Sequence, residues 1–268
     1  MRQLVGAGQG QAGDIAAEHL GAGGGRVRAK LALAASQALG LPQDAAVAVA
    51  AACELLHNAS LVHDDLQDRD ALRRGRMAVW QEHGDAAAIC VGDLLLSAAY
   101  ASLAACGYAT PALLLRVHER VGAVIRGQSS DLSLRGRSDT SLARYEEVAA
   151  GKSGPLLSLP VELALLLADE GDHLTSAVVA GERFAVGYQM TDDLDDVQRD
   201  ALNEELNVVA VLAARGERAP LQVARELALG HFREARIAAL TLPRGAGQLL
   251  ADYARQRSDA LQLLREPA

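Results

Sequence analysis

Long apolar segments run through the whole chain, and short polar or glycine-containing breaks separate them. No segment shows a sustained alternation of apolar and polar residues with β-branched side chains, so the pattern predicts helices and no sheet. The predicted helices cover an apolar segment at 27–39, a long helix from the N-cap Asp44 to about Asp68, and approximately residues 85–106, 111–134, 139–150, 155–168, 173–197, 205–214, 218–240 and 245–264.

Glycine and proline mark the predicted ends of these helices, because both residues interrupt helical backbone. The breaks are expected at Gly107, Thr110-Pro111, Gly136, Gly154-Pro155, Gly171, Gly216 and Pro243-Arg244-Gly245. No stretch has the composition of a linker, and no internal repeat is visible. The sequence therefore predicts one all-α domain that spans residues 1–268.

The composition agrees with a helical fold. Hydrophobic residues make up 50% of the chain but aromatic residues only 3%, so Ala and Leu, both strong helix formers, supply most of the apolar surface. A chain of 268 residues can bury roughly 70–75% of its extended surface. The formal net charge of −8 argues against a nucleic-acid-binding surface.

The cysteines and the N-terminal segment bear on the compartment. Cys53, Cys90 and Cys106 lie in apolar surroundings without metal-ligand spacing, which predicts buried, reduced thiols. The first 20 residues contain no apolar core of a secretory signal. Acidic residues interrupt the longest apolar segments, so we expect a cytoplasmic protein without a membrane span.

Two acidic clusters each follow a long apolar segment, at residues 64–68 and 192–196. Positions i and i+4 of a helix lie about 40° apart, so Asp64 and Asp68 share a face, as do Asp192 and Asp196. Like charges at this spacing destabilise a helix by a few tenths of a kcal/mol, and carboxylates near its C-terminus oppose the macrodipole. This double cost indicates a counter-ion, and Mg²⁺ is the cation that prefers carboxylate and phosphate oxygens.

A basic segment, Arg73-Arg74-Gly75-Arg76, follows directly after the first acidic cluster. Guanidinium groups at this position can bind the phosphate oxygens that a metal ion leaves free. Together, the two segments suggest a diphosphate ligand.

Residues 54–96, together with further elements in the family's order across about residues 20–215, resemble the trans-prenyltransferases, the isoprenyl diphosphate synthases of the farnesyl and geranylgeranyl type. The matching elements are the first aspartate-rich motif, the double arginine, His83-Gly84, Gly92-Asp93, GQSSDL at 127–132, GKSG at 151–154, the second aspartate-rich motif GYQMTDDLDD at 187–196, and GGGRVR at 23–28. The resemblance implies the all-α isoprenoid synthase fold, a homodimer, and two acidic motifs that face each other across a central cavity.

The resemblance also implies a metal site built from both motifs. Asp64, Asp68 and Asp192 would bind Mg²⁺ directly, and three ions per site would be bridged by the substrate diphosphate. The remaining carboxylates, which would ligate or support the direct ligands, are Asp65, Asp193 and Asp196.

Two substrates are implied, an allylic prenyl diphosphate and isopentenyl diphosphate. Arg73, Lys152 and Gln189 match positions that hold the allylic diphosphate or stabilise the cation. Arg28, His57 and Arg74 match the set that binds isopentenyl diphosphate. The catalytic set implied in this way is Asp64, Asp68, Lys152, Gln189 and Asp192.

The residues one helical turn before Asp64 should line the pocket for the hydrocarbon tail. They are Ala59 and Ser60, both small. In the family a bulky aromatic residue there stops elongation at fifteen carbons, so the small residues imply a product of twenty carbons or more.

The chain departs from the family pattern on the acceptor side. Gly25 replaces the lysine of the N-terminal motif, and no lysine lies between Asp196 and Val208, where the family carries a lysine-containing loop. Chain elongation is the leading interpretation. The alternatives are a relative that consumes a prenyl diphosphate by cyclisation or transfer, and a non-catalytic partner subunit of a heterodimeric synthase.

Overall fold

The computed structural model describes residues 1–134 and 139–263, and these residues are mostly helical. The α-helices are α1 (Gln11–Gly21), α2 (Val27–Leu39), α3 (Gln43–Asp68), α4 (Val79–His83), α5 (Asp85–Leu103), α6 (Thr110–Leu134), α7 (Leu142–Leu167), α8 (Leu174–Leu202), α9 (Val208–Ala214), α10 (Pro220–Leu240) and α11 (Gln248–Leu263). The prediction of an all-α fold is confirmed. The expected break at Gly136 and the expected helix end at Leu264 lie outside the described residues.

A small hairpin between α3 and α4 contradicts the prediction of no sheet. Strand β1 (Leu72–Arg73) pairs antiparallel with β2 (Arg76–Met77). Arg74 and Gly75 form the turn with φ angles of 54° and 76°, and two positive φ angles are typical of tight hairpin turns. Two-residue strands are too short to produce a visible alternation, which is why the sequence pattern missed them.

One helix lies outside the predicted set, and several helix ends differ from the predictions. Helix α1 was not expected from the sequence pattern, and α5 ends at Leu103, with a 3₁₀ segment from Ala104 to Ala109 after it. Helix α3 begins at Gln43 after Pro42, so Asp44 is not the N-cap but lies in the first turn.

Helix α7 runs without interruption through Gly154-Pro155, where a break was predicted. Pro155 and Pro160 both lie inside it. Helix α7 packs against α6 and α8 along much of its length and also against α2 and α3. This burial stabilises the helix enough to outweigh the backbone hydrogen bonds that the two prolines remove.

The two acidic motifs occupy different places in their helices. Helix α3 ends at Asp68, as predicted, and Arg69 follows it in the left-handed conformation. Helix α8 continues to Leu202, so the second motif lies inside the helix, and the predicted end near residue 197 is wrong. Interior placement fixes Asp192 and Asp196 on one continuous helical face.

The crossing of α6 and α7 is close because a glycine lies at the contact. A Cβ atom on Gly127 would lie 2.4 Å from the carbonyl carbon of Gly151 and 2.6 Å from the backbone nitrogen of Lys152. This approach brings Asp131 of α6 within 2.8 Å of the Lys152 ammonium group on α7.

We expect Gly127→Ala to destabilise the protein by about 1–3 kcal/mol, because the backbones of α6 and α7 must separate to admit the methyl group. Thermal unfolding should show a midpoint lowered by several degrees, on the order of 2–4 °C per kcal/mol. The matched control is Gly122→Ala on the same helix, where the nearest atom is the flexible end of Arg126 at 3.2 Å. An equal loss in both variants would contradict the role of the close crossing.

The environment of the cysteines agrees with the prediction in two cases. Cys53 and Cys106 are buried, but Cys90 is exposed on α5, so its predicted burial is wrong. In residues 1–134 and 139–263, two helices, α3 and α5, are long and apolar enough to cross a membrane by length and composition alone, and 67% and 44% of their most apolar windows are buried in the protein. These two helices are weak grounds for a membrane span, since core helices of soluble proteins share these properties.

Candidate active site

An acidic cavity of about 300 Å³ lies among α3, α6, α7 and α8. Among the residues that the structure describes, eight carboxyl groups and three cationic side chains line it, and both aspartate-rich motifs contribute. The acidic residues are Asp68, Asp70, Asp131, Asp192, Asp193, Asp196, Asp200 and Glu205, and the cations are Arg73, Lys152 and Arg199. Such an excess of carboxylates in one cavity favours bound cations.

On α8, Asp192 and Asp196 line the cavity one helical turn apart. Burial raises the pKa of Asp192 to about 6, with Arg257 acting in the opposite direction and Asp196 and Asp195 adding to the rise. Asp195 is exposed and does not line the cavity. Three of the four carboxylates of the motif, Asp192, Asp193 and Asp196, therefore line the cavity, and Asp195 faces solvent.

Asp193 has a structural environment that differs from that of Asp192. It is 1% exposed, and its carboxylate accepts hydrogen bonds from the Tyr145 hydroxyl at 2.8 Å, the Gln189 amide at 2.8 Å and the Val208 backbone N–H at 2.7 Å. Burial raises its pKa to about 7 against the effect of these hydrogen bonds. The resemblance implies that Asp193 either binds the metal or supports the direct ligands. These contacts match the second role.

Asn207 joins the end of α8 to the start of α9. Its side-chain amide donates to the backbone oxygen of Asp193 at 2.9 Å and to the carboxylate of Asp200 at 2.8 Å. Its side-chain oxygen accepts from the Val209 backbone N–H and so caps α9. The short connection after α8 is therefore held at this rim of the acidic cavity.

In the first motif, Asp65 is 1% exposed and binds Arg73. One carboxylate oxygen accepts from Arg73 Nε at 2.7 Å and also from Arg73 Nη2. Arg73 in turn lines the acidic cavity. Asp65 therefore also matches the supporting role, since it fixes the guanidinium group of Arg73 that faces the cavity.

We expect Asp65→Asn to weaken binding of inorganic diphosphate, because the substitution removes the charged acceptor that orients Arg73. Hydrogen bonds to charged groups contribute about 1.5–3 kcal/mol, so the loss should be roughly tenfold to a hundredfold in Kd. Calorimetric titration in the presence of Mg²⁺ measures it. The control is Asp70→Asn, whose 55% exposed carboxylate lies 3.5 Å from Arg73 Nη2 and should matter little. Equal effects in the two variants would contradict the assignment.

Asp68 lines the acidic cavity, and Asp64 lies one turn before it at the mouth of a second cavity. Burial raises the pKa of Asp64 to about 6, Lys152 lowers it, and Asp68 raises it further. The Lys152 ammonium group donates to Asp131 at 2.8 Å. Burial acts to lower the pKa of Lys152, but Asp131, Asp64 and Asp68 together outweigh it, so the pKa lies above its usual value.

The second cavity, of about 380 Å³, is mainly apolar and lies beneath Asp64. Ala59 and Ser60 both line it, which is where the helix geometry of α3 was expected to place them. Its other apolar walls come from Leu56, Leu96, Val121, Val124, Ile125, Leu132 and Leu156. Gln128 links the two cavities, since it lines the apolar one and its amide nitrogen lies 3.5 Å from a carboxylate oxygen of Asp68.

The predicted acceptor set, Arg28, His57 and Arg74, lies outside the lining of the acidic cavity. Burial lowers the pKa of His57 well below its usual value, and the charges of Arg28, Arg74 and Arg73 lower it further. Burial lowers the pKa of Arg28 to about 10, against the charge of Glu54. The structure thus brings these three residues into one positively charged environment.

Gly23 and Gly24 position Arg74. The Arg74 guanidinium group donates to the backbone oxygen of Gly23, and a Cβ atom on Gly24 would lie 2.6 Å from Arg74 Cζ. Gly24 also has a φ of 110°, which side-chain-bearing residues rarely adopt. The glycine-rich segment before α2 therefore leaves room for the side chain of Arg74 from the hairpin and hydrogen-bonds to it.

Two residues near the site belong to none of the sequence motifs. His19 of α1 lies beside Asn58 and Arg74; burial and the Arg74 charge lower its pKa to about 4, and its Nε2 is buried without a hydrogen-bond partner. Arg257 of α11 lies 4.9 Å from the centroid of the Tyr188 ring, and its charge acts on Asp192. Both come from helices far along the chain from the acidic motifs.

Gly92 accommodates the ring of His63 beside the apolar cavity. A Cβ atom at Gly92 would lie 2.0 Å from His63 Nε2. The same nitrogen is 3.7 Å from a carboxylate oxygen of Asp93. The Gly92-Asp93 pair therefore packs α5 against the end of α3 that carries the first acidic motif.

The donor set of the acidic cavity suits a metal that shares its coordination with substrate. Among the described residues, no group of three or more His, Cys, Asp or Glu side chains is arranged to hold a metal ion by itself. Mg²⁺ commonly keeps several waters and uses one or two carboxylates together with substrate phosphate oxygens. Carboxylates from α3 and α8 around one cavity fit that mode of binding.

Comparison with solved structures defines the fold class. The chain matches a decaprenyl diphosphate synthase from Rhodobacter capsulatus with a TM-score of 0.84, at 23% identity, over 99% of this chain and 94% of that one. The architecture is therefore the isoprenoid synthase fold. The family model of polyprenyl synthetase matches residues 11–208, and the chain belongs to this family.

Curated relatives are similar over a shorter span. A (2E,6E)-farnesyl diphosphate synthase of Mycobacterium tuberculosis is 38% identical over 173 residues, covering 64% of this chain and 48% of the relative. A geranylgeranyl diphosphate synthase of Methanosarcina mazei is 32% identical over 181 residues, covering 66% and 56%. The chain thus spans about half the length of the curated relatives it matches.

Proposed function

We propose that the protein is a Mg²⁺-dependent prenyltransferase that condenses an allylic prenyl diphosphate with isopentenyl diphosphate to give a product of twenty carbons or more. The observation that carries the proposal is the junction at Asp64 and Asp68. These residues lie one turn apart on α3, with an acidic cavity at Asp68 and an apolar cavity at Asp64. The junction fits a molecule with a polyanionic head and a hydrocarbon tail.

The residues around the acidic cavity suit the ionisation of an allylic C–O bond. Bound Mg²⁺, held by Asp64, Asp68, Asp192 and Asp196, would act as a Lewis acid on the leaving diphosphate. Arg73 is anchored by Asp65, and Lys152 is anchored by Asp131. Both cations are therefore oriented before the negative charge develops, which favours the transition state over the ground state.

The remaining predicted residues suit the acceptor and the tail. Arg28, Arg74 and neutral His57 can bind the diphosphate of a second substrate. Since the pKa of His57 lies well below 6.5, the imidazole at neutral pH donates one hydrogen bond without adding charge. The apolar cavity at Ala59 and Ser60 supports the proposal of a long product, because it admits a hydrocarbon chain and excludes water.

A second candidate is a relative that consumes a prenyl diphosphate. Gly25 in place of lysine favours it, as does the absence of lysine in residues 197–207. His57 and Arg74 favour elongation. A non-catalytic subunit is the third possibility, and the shared cavity of both carboxylate motifs argues against it.

We also propose that the protein is a homodimer. Ile89 and Leu115 are 50% and 60% exposed on α5 and α6, so both helices present large aliphatic side chains that a second copy of the chain would cover. Sedimentation velocity would test this proposal, and a monomer at micromolar concentration would contradict it.

Incubation of the purified protein with Mg²⁺ and dimethylallyl, geranyl or farnesyl diphosphate, with and without isopentenyl diphosphate, tests the reaction. Elongated diphosphates that form only with isopentenyl diphosphate support the proposal. Release of diphosphate without it supports the prenyl-consuming relative. No turnover in any arm, with folding verified by circular dichroism, supports the non-catalytic subunit.

A further inference from the structure

We infer that Arg199 is a built-in counter-cation of Asp196, which a divalent metal ion displaces and which then binds the diphosphate that enters with the metal. The inference rests on the proposed function, because it concerns the same site. It concerns a residue that no matched motif contains.

Arg199 contacts the carboxylate of Asp196, which is a predicted metal ligand. Arg199 lies three residues after Asp196 on α8, and its Nη2 is 2.8 Å from a carboxylate oxygen of Asp196. The same nitrogen lies 3.2 Å from Asp200. Without a metal ion, the guanidinium group therefore neutralises part of the repulsion between Asp192 and Asp196.

The three cations that line the cavity in the described part of the chain differ in how firmly they are held. Arg73 binds the buried Asp65, and Lys152 binds the half-buried Asp131, so both are fixed. The Arg199 side chain is 62% exposed, and its partner Asp196 is a predicted metal ligand. Arg199 is therefore the cation whose partner a metal ion would bind, and its exposed side chain has room to move away.

Arg199 Nη2 also donates to Oδ1 of the buried Asp200 at 3.2 Å, and the Asn207 amide donates to the other carboxylate oxygen at 2.8 Å. The contact with Asp200 needs no movement of that carboxylate, so Arg199 can keep it while the guanidinium group leaves Asp196. When a divalent cation takes Asp196, the like charge of the metal repels the guanidinium group, and a diphosphate at the cavity attracts it. Arginine binds phosphate oxygens with paired hydrogen bonds, and Arg199 is the one basic residue in 197–207.

The displacement of Arg199 by a metal ion predicts two changes in affinity of opposite direction. Arg199→Gln should bind Mn²⁺ alone about twofold to fivefold more tightly, because the metal no longer displaces an exposed ion pair. The same variant should bind inorganic diphosphate in the presence of Mg²⁺ roughly tenfold more weakly, because a charged donor is lost. Electron paramagnetic resonance of free Mn²⁺ gives the first value, and calorimetry gives the second.

Arg255→Gln is the matched control. Arg255 also follows an aspartate by three residues, at 3.8 Å from Asp252, and its side chain is 53% exposed on α11, outside the acidic cavity. It should change neither affinity. Arg199→Lys should restore most of the diphosphate affinity, since it keeps the charge.

The outcomes separate the inference from the proposed function. Unchanged or weaker Mn²⁺ binding in Arg199→Gln, with a wild type that binds Mn²⁺, overturns the inference alone. A wild type that binds no Mn²⁺ and forms no elongated product overturns both. Tighter Mn²⁺ binding together with weaker diphosphate binding supports the inference.

Discussion

Replacement of Asp192 by asparagine is expected to lower the rate of prenyl transfer about 10³-fold or more, since metal-based charge stabilisation contributes several kcal/mol. Asparagine keeps the shape of the side chain but loses the charge that attracts Mg²⁺. Burial already disfavours an uncompensated charge at this position, since it raises the pKa of Asp192 to about 6. Removal of that charge should leave the metal-free protein at least as stable as the wild type.

Asp195→Asn provides the control within the same motif. Asp195 is exposed and lies outside the cavity lining, so its turnover should remain within about threefold of the wild type, the range expected for an exposed charge. Steady-state kinetics at saturating Mg²⁺, with thermal unfolding of both variants, make the comparison. A turnover of Asp192→Asn within tenfold of the wild type would contradict the assignment of Asp192 as a metal ligand.

Ala59→Phe should shorten the main product by at least one five-carbon unit. Ala59 is 4% exposed and lines the apolar cavity of about 380 Å³ beneath Asp64. A phenyl ring at this position would fill part of the space that the growing tail needs, and close-packed interiors do not yield easily. Chromatography of the dephosphorylated products against prenyl alcohol standards measures the change.

Two further variants make the chain-length test decisive. Val47→Phe adds a ring on the same helix at a site that is 53% exposed, and it should leave the product distribution unchanged. Ser60→Phe offers a second position in the cavity, less buried than Ala59, in case Ala59→Phe unfolds. Unaltered products from a folded Ala59→Phe would place the tail elsewhere.

The features that sequence could predict are those set by local periodicity. Residues one turn before Asp64 lie under it because α3 is continuous, so the position of Ala59 follows from helix geometry alone. The end of α3 at Asp68 was predicted for the same reason. The predicted break at Pro155 was wrong because burial of α7 between its neighbours, which no local rule contains, outweighs the cost of proline.

The remaining features depend on contacts between distant segments. The burial of Asp65 against Arg73 requires the β1–β2 hairpin, whose strands are too short to detect. The partners of Asp193 come from α7 and α9, and Arg257 reaches Tyr188 from α11. A repeated aspartate motif therefore locates the site in the sequence, but only the packing shows which of its carboxylates open into the cavity.

Asn207 has a consequence for the timescale of motion at this rim of the acidic cavity. It is 2% exposed and bonds the end of α8 to the start of α9, so this rim cannot swing open without breaking buried hydrogen bonds. Fast motion at this rim is then limited to side-chain rotations, which occur far more often than the collective motion of a hinged segment. The backbone here acts as a fixed frame.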